Sequence, residues 1–316
     1  MPWRKIAKPR GVIALLSNAL RVCAGLVLCF GLYAVPSANA ASQLPAAPIE
    51  KKVPADPDMN FIIVRSDANG CEPNCPEWIT AQGKITAGTA DKLSRLLANP
   101  TNRKLPILLN SYGGDIRAAL TMGRMIRRYQ MTTTIGRTHF SFCDPFTDNT
   151  CRPSVSNKAY RGTPWQYGAK CMSACPLVLL GGVVRILDDA SYLGLHQPTT
   201  VSHPYMDRYW VTWRMIHGQK VIISRKLLKR ISLPSKTSIG LSSRLKGTLG
   251  SYIKEMNASS AIMDEMEKAG PSTMNLITHS KAHELGLSTR FESLDIFAKP
   301  DICAGASPAE HCVLIK

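Results

Sequence analysis

Three short segments of this chain carry residue types that together can run acyl-transfer chemistry. In Asn110-Ser-Tyr-Gly-Gly-Asp115 two glycines sit between a strand-like run and a helix-like one. Glycines permit backbone angles that turn amides outward, and outward amides can hold an oxyanion. Cys171-Met-Ser-Ala-Cys175 places Ser173 at the predicted start of an apolar helix, where the helix end supplies positive potential near its oxygen. Tyr192-Leu-Gly-Leu-His-Gln-Pro198 ends an apolar run in His196 just before a turn, which exposes a base at a sheet edge. Each segment also has a plain structural reading: a strand-to-helix turn, a helix N-cap, a structural histidine. Their occurrence in this order in one chain favours the chemical reading.

These residues need a scaffold of strands and helices. Phe61-Ile-Ile-Val64, Trp78-Ile-Thr-Ala81, Pro106-Ile-Leu-Leu109 and Thr132-Thr-Thr-Ile135 read as short strands. Leu93, Leu96 and Leu97 recur at helical spacing within 89–98. Ile116, Ala119, Leu120, Gly123 and Ile126 share one face of a predicted helix over 115–129. Alternating strands and helices predict a layered α/β fold. Residues 137–170 break the rhythm with Pro, Gly, Asn and aromatics, and are expected to form an irregular insertion.

The three segments, in that order, resemble the core of the Clp protease proteolytic subunit and the wider Clp/crotonase superfamily. The matching residues are Asn110-Ser-Tyr-Gly-Gly114, Ser173 with Gly182 nine residues on, and Leu195-His-Gln-Pro198. Ser280-Lys-Ala-His-Glu-Leu-Gly-Leu287 resembles the family's closing segment, and Cys71-Glu-Pro-Asn-Cys-Pro-Glu-Trp78 resembles a group of exported Clp-like proteins. The resemblance covers roughly residues 60–290. It implies a spiral of repeated β-β-α units in a single domain over 59–298, with insertions at about 137–168 and 200–250. It further implies an exported serine peptidase-like protein acting on a peptide or protein substrate, with no cofactor and no metal. Ser173 is the implied nucleophile and His196 the base, with the amides of Gly113 and Ala174 as the oxyanion hole. Family members often form rings, so a homo-oligomer is a further expectation.

Two departures weigh against activity. Tyr112 replaces the family's proline, and the position of its third catalytic residue, an aspartate, falls at about Met274. No acid lies between Lys268 and Glu284, so Asp264, or Glu267, is the nearest candidate for orienting the imidazole. A catalytically inactive binding or assembly protein with the same fold is therefore the alternative reading. Lys170 lies near Ser173, but its position does not match a Ser–Lys dyad.

Composition sets the compartment. The 316 residues carry a net charge of +17 and ten cysteines, with 45% apolar and 19% charged residues, an ordinary globular balance. Arg4, Lys5, Lys8, Arg10 and Arg21 precede an apolar run from Val22 to Val35 and the small residues Ala38 and Ala40. That layout predicts a signal peptide over 1–40, cleaved after Ala40, and a periplasmic or secreted product. A Pro-rich linker is expected over 41–58. Without residues 1–40 the chain keeps 276 residues, a charge of +12 and eight cysteines.

An even number of cysteines in an exported chain reads as a disulfide set. Cys71 and Cys75 look like a local pair. Cys303 and Cys312 look like another, pinning a C-terminal tail over 299–316. Cys171 and Cys175 flank Ser173 and can bond to each other or to Cys143 and Cys151; both patterns stay open. The basic stretch 220–246 has no acid, and Ile222, Ile223, Leu227, Leu228 and Ile231 predict a partly amphipathic helix. It reads as a solvated face or as an arm touching an anionic membrane surface. Nucleic acid is not expected as a partner outside the cytoplasm.

Overall fold

In the computed structural model the continuous apolar runs of the sequence become the buried strands of one large sheet. The structure describes residues 57–153 and 159–315. The expected signal peptide, its cleavage site and nearly all of the expected linker lie outside the described residues.

The chain opens with β1 (Asn60–Ser66), β2 (Asn74–Gln82) and α1 (Thr89–Leu96). Next come β3 (Ile107–Asn110), α2 (Ile116–Arg128) and β4 (Thr132–Ile135). β5 (Arg137–Phe140), β6 (Tyr160–Trp165), β7 (Lys170–Met172) and α3 (Cys175–Leu179) follow. β8 (Val184–Leu187) and β9 (Tyr192–Leu195) lead to a long excursion of β10 (Thr199–Ser202), β11 (Tyr205–Ile216), β12 (Gln219–Ser232) and β13 (Lys236–Ile239). The remainder is α4 (Ser243–Glu255), α5 (Ile262–Glu267), β14 (Asn275–Leu276), α6 (His279–Glu284), β15 (Arg290–Phe291) and β16 (Cys312–Leu314).

One pattern repeats along this order: a strand of the large sheet, an extended segment in a second layer, then a helix. β2, residues 84–85 and α1 form the first turn. β3, residues 111–114 and α2 form the second. β4, β7 and α3 form the third, and β8, β9 and α4 the fourth. The large-sheet strands β2, β3, β4, β8 and β15 run parallel in that order. The second layer is joined by the bridges Ile85 to Gly114 and Ser111 to Cys171, by parallel β7–β9, and by antiparallel β9–β14. This is the β-β-α spiral expected from the sequence.

The core lies between these layers. Ile79, Ile107, Leu109, Leu177 and Leu179 are fully buried in it. Buried parallel strands need apolar residues on both faces, which is why β3 reads as an unbroken run. Tyr252 of α4 donates a hydrogen bond to the Leu177 carbonyl, and its hydroxyl occupies the space a side chain on Gly123 of α2 would need.

Two expectations are corrected. Residues 137–140 and 160–165 are strands rather than irregular chain; β6 pairs with β5 and extends the sheet beyond β1. The amphipathic helix expected from Ile222 to Ile231 is the strand β12, paired along its length with β11. The β-branched run Val221-Ile-Ile223 suits a pleated strand, and the preceding strand β11 supplies the ladder, with Val221 opposite Arg214 and Ile222 opposite Trp213.

Candidate active site

Ser173 follows β7 and His196 follows β9, and these strands are parallel neighbours with Met172 beside Gly194. The Ser173 amide donates to the Gly194 carbonyl at 3.0 Å, which locks the two strand ends together. The result is a 2.7 Å contact between Ser173 Oγ and His196 Nε2. Both residues are half-buried, so the pair is reachable.

Ser173 does not begin the helix, contrary to expectation. α3 starts at Cys175, and Ser173 stands before it with φ of 60°, in the left-handed region. A non-glycine residue there is strained and must be held by its surroundings. The disulfide between Cys171 and Cys175 closes the segment around it, and both cysteines are fully buried. Cys143 bonds to Cys151 within the first insertion, so no disulfide carries that insertion to the serine. Cys71–Cys75 and Cys303–Cys312 form the local pairs expected. Four disulfides are the chemistry of an oxidising, extracellular compartment.

Gly113 packs against Ser173. A Cβ there would lie 2.6 Å from the Met172 carbonyl oxygen and 2.7 Å from both the Ala174 nitrogen and the Ser173 Cβ. With φ of 92°, only glycine suits the position. Its amide is already engaged: it donates to the buried Ser111 hydroxyl at 3.0 Å, and that hydroxyl donates to the Gly83 carbonyl at 2.6 Å. In this conformation the Gly113 amide is therefore not offered to an oxyanion. The Ala174 amide lies directly after the serine, and Gly114, which the sequence reading passed over, lines the cleft.

The orienting acid is missing from the far side of the imidazole. His196 Nδ1 is buried and has no hydrogen-bond partner among the described residues. The pairing of Asn275 with Leu195 puts Met274 opposite His196 in the register. Met274 packs against Gly194, and its thioether cannot accept a proton as a carboxylate would. The structure does not bring Asp264 to the histidine; it is exposed on α5. Glu267 pairs with Lys246 at 2.7 Å. Glu265 is held by Lys268 and Asn275, and these bonds, led by the lysine, lower its pKa below the usual carboxylate value. Lys170 is also occupied: its ammonium bonds to the Tyr112 hydroxyl and lies 3.9 Å from that ring's centre. The tyrosine that replaces the family's proline thus holds the lysine.

Ser173 and His196 open into a cleft of about 800 Å³. Its walls come from the start of α2, from Pro198 and β10, and from the first half of α4. Among the described residues, none of the 137–168 insertion lines it. Arg117 and Arg244 do, and neither has a carboxylate partner among the described residues; Leu120 and Leu245 supply apolar surface. No sequence signal singled out these two arginines, because they lie 127 positions apart in the chain and only the fold makes them neighbours.

No family model and no curated protein matches the chain. Among solved structures it is similar to a point mutant of the 1510-N membrane-bound stomatin-specific protease, at 13% identity and a TM-score of 0.35, covering 66% of this chain and 75% of that one. Another mutant of that protease, in complex with a substrate peptide, gives 14% identity and a TM-score of 0.35 over 66% and 71% of the two chains. A ClpP1 mutant from Listeria monocytogenes gives 13% and 0.36 over 66% and 87%.

Proposed function

We propose that this protein is an exported serine peptidase-like hydrolase of the Clp/crotonase type, cleaving peptide or other acyl bonds with Ser173 and His196. The observation that carries the reading is the 2.7 Å contact between Ser173 Oγ and His196 Nε2 at the floor of the cleft. In the proposed reaction His196 Nε2 takes the Ser173 proton as Oγ bonds to the substrate carbonyl carbon. The Ala174 amide faces the oxyanion that forms, and the imidazolium returns the proton to the leaving group. Water then attacks the acyl-serine, with His196 again as the base, and the freed acid leaves. The unpaired Arg117 and Arg244 suit a peptide that carries an acidic group. The signal peptide over 1–40 and a periplasmic or secreted location belong to the same proposal, supported by the disulfides.

The second reading, a binding protein that retains the fold without the chemistry, is favoured by one feature: His196 Nδ1 has no acceptor. An imidazole whose Nε2 accepts from the serine carries its proton on Nδ1, and a buried donor without a partner costs about 1–3 kcal/mol. A fluorophosphonate probe separates the readings. The folded wild type is expected to label, and Ser173→Ala to lose the label. Absence of labelling in folded wild type would decide for the binding protein.

A further inference from the structure

The excursion between β9 and α4 ends in a two-stranded ribbon, β11–β12, that is exposed along nearly its whole length. An isolated ribbon in water is marginal at best, and this one displays large apolar side chains to solvent. Its two ends differ. The outer half, 213–223, carries Trp213, Met215, Ile216, Val221, Ile222 and Ile223, all exposed, with two cations, Arg214 and Lys220, the latter 4.2 Å from the Trp213 ring centre. The inner half carries Arg208, Arg225, Lys226, Lys229 and Arg230 with a single acid, Asp207, which Arg230 neutralises at 2.7 Å.

The pairing register arranges these cations on the ribbon. Arg208 lies directly opposite Lys229, so two like charges meet across the ladder. Like charges placed so are destabilising, and neither has a carboxylate partner among the described residues. Over 205–232 seven Lys and Arg face one Asp, a net charge of +6.

We propose that this ribbon docks the protein on an anionic lipid bilayer, its apolar tip in the headgroup region and its inner cations against lipid phosphates. The charge decides the occupant: a second copy would bring +6 against +6, whereas an anionic surface relieves the opposed Arg208 and Lys229. The length fits as well. Three residues from Trp213 to Ile216 span about 10 Å at the rise of a strand, the depth of an interfacial segment. The ribbon lies in the interface and does not span, because its outer edges carry unpaired backbone groups that hydrocarbon cannot satisfy. Among the described residues no helix is long and apolar enough to cross a membrane. The arm is rooted at the cleft: β10, which lines it, pairs with β13 at the ribbon's base. Docking therefore holds the Ser173 cleft near the bilayer, although the docking itself does not rest on catalysis.

Vesicle co-sedimentation of the full chain tests this. Binding is expected to phosphatidylcholine vesicles containing phosphatidylglycerol, not to phosphatidylcholine alone, and to fall with added salt. Lys226→Gln with Lys229→Gln should weaken it about 30-fold. Ile222→Ser with Ile223→Ser, at an exposed tip, should weaken it without moving the thermal midpoint. Brominated phosphatidylglycerol should quench the tryptophan emission of wild type much more than that of Trp213→Phe. Equal binding to both vesicle types, or none, overturns the proposal. So does a ribbon-dependent dimer in solution that ignores vesicles, since the second copy is then the occupant.

Discussion

At the scale of residues, the site is defined as much by Met274 as by Ser173 and His196. The imidazole is held on one side by a 2.7 Å contact to the hydroxyl and is bare on the other. Without an acceptor at Nδ1 the productive tautomer and ring orientation lose their support, a loss of up to ~10⁴ in kcat where a triad acid is removed. Met274→Asp is therefore expected to raise kcat/KM on a peptide ester at least about tenfold. The same variant should move the acid limb of the pH–rate profile, which His196 supplies as the base, to higher pH, because a neighbouring carboxylate favours the imidazolium. Unchanged kinetics in a folded Met274→Asp protein would show that position 274 cannot serve the histidine. The cationic cleft makes a separate prediction. Arg117→Ala and Arg244→Ala should each raise KM for acidic peptides several-fold and leave neutral peptides nearly unaffected, because a charge-assisted hydrogen bond contributes about 1.5–3 kcal/mol at most. Steady-state kinetics on paired acidic and neutral peptides would read this.

At the scale of elements, the disulfide strap around Ser173 is the feature of most consequence. Cys171 ends up in β7 and Cys175 opens α3, with the strained Ser173 between them. A bond closing so short a loop contributes about 2 kcal/mol in the chain-entropy picture. The double variant Cys171→Ser with Cys175→Ser should lose about that much stability in urea unfolding, and its labelling by fluorophosphonate should slow. Labelling at the wild-type rate would mean that the strands alone position the serine. The basic excursion teaches the opposite lesson about local signals. Leu227, Leu228 and Ile231 have helical spacing, yet all lie in β12, paired with β11 along one edge. Periodicity over a short apolar run cannot by itself separate a helix from a strand, even when the pairing strand is the preceding one, as here across the His217-Gly218 turn.

At the scale of the whole molecule, the C-terminal tail fastens the start of the sheet. β16 pairs with β2, and Arg65 of β1, fully buried, donates to Glu77 at 2.9 Å, to Glu72 at 2.9 Å and to the Val313 carbonyl at 2.7 Å. These bonds, with Arg65 foremost, hold the Glu72 carboxyl below its ordinary value. In the same tail, burial pushes the His311 imidazole below its ordinary 6.5. Both shifts have the same consequence in acid. A histidine whose folded pKa is depressed takes up its proton more readily when unfolded, so stability falls as pH drops below about 6.5. A carboxylate whose folded pKa is depressed contributes stability above about 4.5 and loses it as pH falls through the folded value. Thermal midpoints should therefore decline in two stages on acidification. His311→Asn should remove the upper stage alone; a wild-type slope in that variant would assign it elsewhere.

The sequence by itself determined the elements whose signals are local. The buried strands β2 and β3 were legible as apolar runs, β4 as a β-branched run and α2 as a 3.6-residue period. Ser173 and His196 were legible because their flanking motifs fix each at a strand end. The pairs Cys71–Cys75 and Cys303–Cys312 were legible from closeness in the chain. The packed fold settled the choices that local signals left open. It chose Cys171–Cys175 over a link to Cys143 or Cys151, and turned the basic helix into a ribbon. It gave the Gly113 amide to Ser111, left Nδ1 of His196 bare opposite Met274, and gathered Arg117 and Arg244 at one cleft. Met274 and His196, and Arg117 and Arg244, are far apart in sequence, so their meeting has no local signature. For the disulfide, the Gly113 amide and the ribbon the partners are near in the chain, but which local arrangement is taken is settled only once the layers have packed.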